Sequence, residues 1–83
     1  MAIRVIPAQG EPFAPLVDKE PTLEQLQNWV GGYIEVMTLG DTQLVFDEEG
    51  IWKRLPINHN ASNVAGRTLV GNVVVLTKEH LMT

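Results

Sequence analysis

Hydrophobic and polar positions change period along this chain, and each change marks an element. Leu23, Leu26, Trp29 and Val30 recur at helical spacing. Thr22 and Gln25 stand where a capping box would open that helix. Gly31 follows its last apolar residue, where a left-handed residue closes a helix and the missing Cβ removes the clash. The spacing therefore predicts a helix from Thr22 to Gly31. The pair Gly31-Gly32 is read as a helix stop and not a phosphate cradle, because a cradle places its glycines before a helix.

The period then shortens to two. Tyr33–Leu39 and Thr42–Asp47 are strand-like runs around Gly40-Asp41, and glycine at the first turn position suits a two-residue type II′ hairpin. That turn sets Leu39 opposite Thr42, Met37 opposite Leu44 and Glu35 opposite Phe46. Asp47-Glu48-Glu49-Gly50 reads as a type I turn with a glycine bulge. It is expected to return the chain as a third strand ending at Pro56, with Phe46 opposite Trp52 and Leu44 opposite Arg54. Asn58 to Gly66 reads as a short capped helical turn. Leu69–Thr77 closes the chain with Val73-Val74-Val75-Leu76, a run apolar enough for a strand covered on both faces, and Gly71 marks a bulge or close approach. Ala2–Ile6 is a short β-like run. The segment from Pro7 to Pro21, with Pro12 and Pro15 inside it, is an irregular connection. The expected architecture is α+β in one small domain, residues 1–83. It comprises a mostly antiparallel sheet (N-terminal strand, three-stranded meander, C-terminal strand), one main helix and a short helical turn.

Alternation sorts the meander into two faces. One carries Tyr33, Glu35, Met37, Leu44, Phe46, Trp52 and Arg54; the other carries Ile34, Val36, Val45, Lys53 and Leu55. Both are apolar enough to need cover, and the main helix covers one. The second face is thus expected to be a ligand surface or a protein interface. Composition agrees: 45% of residues are hydrophobic, generous for 83 residues, and a chain of this size buries only roughly 60–65% of its unfolded surface. Self-association would supply the missing cover, so a homo-oligomer is expected.

Charge and residue inventory remove several classes. The net charge is −4 with six Lys and Arg spread along the chain and no basic stripe, which argues against duplex nucleic acid as partner. No apolar run approaches a membrane span. The opening MAIRVIPAQ is too short, and too soon broken by Pro7, for a signal peptide. A cytoplasmic protein is expected. There are no cysteines, so no disulfide and no thiolate site. His59 and His80 lie far apart and form no metal motif. Ser62 lacks the context of a nucleophile, and the consecutive carboxylates Asp47-Glu48-Glu49 read as a solvated hairpin tip. No enzyme, metal or cofactor is expected.

Two constellations remain. Tyr33 and Trp52 offer stacking planes, Glu35 an acceptor and Arg54 a bidentate fork, a set suited to a nucleobase, nucleotide or peptide; alternatively the aromatics are core and Glu35 pairs with Arg54. Asn58, His59 and Asn60 crowd a helix start. They serve as caps or, with Arg54 and Lys53 upstream, hold a phosphate.

The segments Leu23–Gln27 (Leu-Glu-Gln-Leu-Gln), Val30–Glu35 (Val-Gly-Gly-Tyr-Ile-Glu), Glu48–Gly50, Leu55–Ala61 (Leu-Pro-x-Asn-x-x-Ala) and Val70–Val75 occur in a fixed order. In this the chain resembles, from Pro21 to Leu76, a family of small domains of unknown function from phages, mobile elements and their bacterial hosts. Asp47 stands where that pattern often has Asn, and Asn72 where it often has Asp. The resemblance implies a fold and a phage-type origin, placing the protein in the host cytoplasm. The function expected from the residues is a non-enzymatic ligand-binding protein; by analogy with small phage proteins, which the resemblance invites, its sharpest form sequesters a nucleotide second messenger of host defence, such as a cyclic oligonucleotide or an ADP-ribose derivative. Tyr33, Glu35, Trp52 and Arg54 would contact the base, and Arg54, Asn58, His59 and Asn60 the phosphate. The alternatives are a module that inhibits or regulates a host protein, or a purely structural homo-oligomeric domain.

Overall fold

The chain's most apolar run becomes the interior of its sheet. The computed structural model describes residues 3–15 and 21–77. It contains strands β1 (Ile3–Ile6), β2 (Ile34–Leu39), β3 (Thr42–Asp47) and β4 (Val73–Leu76), and helices α1 (Leu23–Val30) and α2 (His59–Ala65). The sheet order is β1-β4-β3-β2, antiparallel throughout. This is the expected α+β class. Ala2 of the expected N-terminal β-like run, like residues 16–20 of the Pro7–Pro21 connection, lies outside the described residues.

The hairpin register is the one the turn predicts: Leu39 opposite Thr42, Met37 opposite Leu44, Glu35 opposite Phe46. Gly40 has φ +57° and Asp41 has no positive φ, the combination of a type II′ turn.

The expected third strand of the meander is absent, and β4 takes its place beside β3. Leu44 pairs with Val75, not Arg54, and Val45 with Val74. A strand in that slot is covered on both faces, so both faces must be apolar. Val73, Val74 and Leu76 are fully buried there, each stabilising by about 1.5–3 kcal/mol. The Ile51–Leu55 segment would carry Lys53 and Arg54 into the same place, where a desolvated charge costs more than the neighbouring side chains return. Instead it winds into one tight helical turn. Gly50 N–H donates to the Asp47 carbonyl at 3.2 Å and Lys53 N–H to Glu49 at 3.0 Å. Arg54 N–H donates to Ile51 at 3.0 Å and Leu55 N–H to Gly50 at 3.1 Å, the paired bonds of a Schellman closure. Arg54 occupies its left-handed position with φ +56°. The turn at Asp47–Gly50 forms without the expected glycine bulge. Gly50 has no positive φ, and its lack of a side chain serves close approach: a Cβ would meet Val70 Cγ2 at 2.7 Å.

Helix α1 starts and stops as its sequence dictates. Gln25 N–H donates to Thr22 Oγ1, Thr22 N–H donates to Gln25 Oε1, and Gly31 closes the helix with φ 96°. Its Leu26 and Val30 pack on Ile3, Val5, Val45, Val74 and Leu76, with Trp29 and Ile34 at the margin. Helix α2 covers the opposite face, setting Ala61 against Ile6, Leu44, Phe46, Leu69 and Val73. No helix among the described residues is long and apolar enough to cross a membrane.

One amide fastens α2. Asn58 is 1% exposed. Its Oδ1 accepts from Ala61 N–H at 3.0 Å, and its Nδ2 donates to the carbonyls of Ile6 at 2.7 Å and Gly71 at 2.8 Å. The helix cap, the end of β1 and the approach to β4 thus share one side chain. The hydroxyl of Ser62 adds a second tie, accepting from Leu69 N–H at 2.8 Å.

Two stability predictions follow from these geometries. Asn58→Leu strands three buried backbone groups and is expected to lower unfolding free energy by about 3–5 kcal/mol in urea titration, a large share of the total for a domain of this size. Arg54→Gly relieves a left-handed residue and is expected to raise it by about 0.5–1 kcal/mol, whereas Arg54→Val lowers it.

Candidate binding cleft

Where β2 and β3 leave the hairpin's far end, the turn after β3 and the segment after α2 face each other across a cleft of about 250 Å³. Its side chains include Glu35 from β2, Phe46 from β3, Ile51 and Trp52 from the helical turn, and Arg67 just beyond α2. Each is placed by a local rule. Glu35 and Phe46 are cross-strand partners on one face. Gly66, left-handed at φ 72°, ends α2 and turns the chain so that Arg67 reaches back over the sheet. The Arg67 Cζ lies 5.7 Å from the Phe46 ring centroid, within cation–π range. Phe46 is buried and forms the floor. Ile51 and Trp52 are 78% and 89% exposed at the rim, held by a turn closed by its own backbone hydrogen bonds.

Asp47 also borders this cleft, but its carboxylate is committed. It is 1% exposed, accepts from Glu49 N–H at 2.7 Å, and pairs with the Lys53 ammonium at 2.7 Å. The same ammonium reaches the Gly31 carbonyl at 3.4 Å, joining the end of α1 to the end of β3. Gly32 lies directly against this pair: a Cβ there would collide with Lys53 Nζ and come within 3.1 Å of Asp47 Oδ2. The two adjacent glycines therefore answer different constraints, Gly31 a left-handed φ and Gly32 a space taken by an ion pair.

The structure separates the residues grouped from sequence. Glu35 and Trp52 share the cleft, although Trp52 arrives on a turn and not a strand. Tyr33 does not join them. It is 67% exposed and lines a second, more open cleft of about 450 Å³ at the end of α1, with Gln27, Asn28, Gly32, Glu49 and Lys53. That cleft is larger, but it has one aromatic group and its cation is already paired, so the smaller one is the better candidate. Arg54 lines neither cleft, because the Schellman closure turns the chain at that residue. Asn58 is withdrawn from any phosphate: it is buried and its amide is used in full. His59 and Asn60 are exposed on α2 and line neither cleft. The cleft cation is Arg67, and the sequence contained a signal for it: a basic residue directly after a helix-closing glycine.

Residues 2–81 match the family described as a domain of unknown function, DUF3846. The chain belongs to that family. No curated protein and no solved structure matches it.

The Lys53–Asp47 pair is structural in this geometry. Lys53→Met is expected to lower stability by about 1–3 kcal/mol, less than for a fully enclosed pair because the lysine is 37% exposed. In a double-mutant cycle by urea denaturation, Lys53→Met should cost distinctly less once Asp47 is already Asn.

Proposed function

We propose that this protein is a non-enzymatic binding module that docks a protein partner on the cleft between Glu35, Trp52 and Arg67. One observation carries the reading: Ile51 and Trp52 stand side by side, 78% and 89% exposed, on a turn held by its own hydrogen bonds. A large apolar pair presented to water contributes nothing to the fold that exposes it and stabilises any complex that covers it. Trp and Arg are the side chains that most often dominate such contacts. The internal bonds of the turn set the indole's position beforehand, which lowers the ordering cost on binding. Glu35 and Arg67 supply an acceptor and a donor fork beside the apolar anchor, so a partner with both charge signs is matched.

A second reading uses the same residues for a nucleotide-like ligand. Trp52 would stack on the base, Glu35 would accept from a base amino group, and Arg67 would hold a phosphate. This is the form in which a phage-type protein would sequester a second messenger of host defence. Arg67 beside an open indole favours it. Volume and charge weigh the other way. About 250 Å³ is below the ~300–1,000 Å³ usual for small-ligand sites. Among the described residues Arg67 is also the one cation that lines the cleft, against Glu35 and Glu48.

Both readings are tested by Trp52→Ala and Arg67→Glu, exposed positions where stability should move by no more than about 0.5 kcal/mol. Under the first, immobilised wild-type protein retains a host protein that both variants release, and melting points do not move with nucleotides. Under the second, a cyclic oligonucleotide or ADP-ribose derivative raises the melting point of the wild type by several degrees and leaves the variants unmoved. Retention of the same proteins by wild type and variants, with no nucleotide response, would refute both.

A further inference from the structure

The two edges of the sheet are treated differently by the chain. At β1 the polypeptide covers its own edge: Val5 N–H donates to the Phe13 carbonyl at 2.7 Å and Phe13 N–H returns a bond to Val5 at 2.9 Å. At β2 no described segment does so. The phase of the hairpin shows which groups are left. Glu48 N–H donates to the Tyr33 carbonyl at 2.9 Å, so Tyr33, Glu35, Met37 and Leu39 turn their backbone groups toward β3. In an antiparallel pair the alternate residues point away. Ile34, Val36 and Thr38 therefore present N–H and C=O groups outward. The strand that presents them, Ile-Glu-Val-Met-Thr-Leu, has no lysine, proline or bulge, the devices that usually protect an edge. Val36 and Leu39 on it are 38% and 39% exposed.

We infer that β2 pairs antiparallel with β2 of a second copy, with Val36 opposite Val36 on the two-fold axis, joining two four-stranded sheets into one. A two-fold contact must be complementary to itself, and charge selects the register. With Val36 on the axis, Ile34 meets Thr38 and the strand's single charge, Glu35, meets Met37. Moving the axis to Thr38 would place Glu35 opposite Asp41, a direct clash of like charges. Moving it to Ile34 would run the pairing into Gly32, where the ion pair of Lys53 and Asp47 lies against the backbone. The central register alone pairs the outward groups of the whole strand and brings the exposed valines together. It also sets Met37 of the second copy beside Glu35, at the border of the cleft. The inference stands apart from the docking of a partner at Trp52, since it uses the strand edge and not the cleft rim.

Sedimentation equilibrium on the full chain tests it. The wild type should be a dimer, and Val36→Lys should raise the dimer dissociation constant at least about tenfold by setting like charges opposite each other. Val36→Glu should do the same. An equimolar mixture of the two should recover a heterodimer, because lysine then faces glutamate across the axis. Thr38→Pro is a second, uncharged variant: it removes an outward N–H that the hairpin does not use, and it too should yield folded monomer by circular dichroism. A wild type that stays monomeric into the millimolar range, or a dimer indifferent to both Val36→Lys and Thr38→Pro, overturns the inference.

Discussion

A single buried amide sets the geometry on which the rest of this fold depends. The side chain of Asn58 bonds to the carbonyl of Ile6, 52 residues away in sequence, to that of Gly71, and to the N–H of Ala61. It thereby holds the end of β1, the entry to β4 and the first turn of α2 at one point. An amide buried in an apolar interior must satisfy its donors and acceptor there, so only one mutual arrangement of the three segments is compatible with its burial. A chain with no disulfide and little core gains more from such a specific tie than a larger domain would.

The candidate cleft follows from that tie. Once α2 and Leu69 lie on Phe46 and Val73, the covered part of the second face ends at Met37 of β2, which packs at its margin. Arg67 then falls over the Phe46 ring, and the turn after β3 meets it from the other side. The exposed pair Ile51 and Trp52 is the result of a competition between strands. The all-apolar β4 excludes a segment containing Lys53 and Arg54 from the sheet. The excluded segment folds on its own hydrogen bonds, projects its apolar residues, and spends its lysine on the buried carboxylate of Asp47.

Local elements were legible in the sequence because local chemistry determines them. The capping box of Thr22 and Gln25, the left-handed stop at Gly31, the hairpin turn at Gly40 and the closing Gly66 each depend on neighbours within four residues, and all appear where expected. So does the register of β2 on β3, which the turn carries along the strands. The candidate site was legible only in part. Glu35 and Trp52 were recognised as partners, but Arg54 was placed beside them by a third meander strand, and Asn58, His59 and Asn60 by a helix start next to that strand's end. Without that strand the grouping dissolves, and Arg67 supplies the charge expected of Arg54.

What the sequence by itself determined is therefore the two helices with their caps, the β2–β3 hairpin, the outer strands and the apolar character of the two sheet faces, but not the fate of the Ile51–Leu55 segment. Which strand stands beside β3 was decided only by tertiary structure, because two segments compete for one edge and the comparison is between buried areas and desolvated charges far apart in the chain. The double glycine shows the same division at two adjacent residues. Gly31 follows from helix geometry and could be read from its neighbours. Gly32 is explained by Lys53 meeting Asp47 across its Cα, a contact that exists only after the turn has folded back on the end of α1.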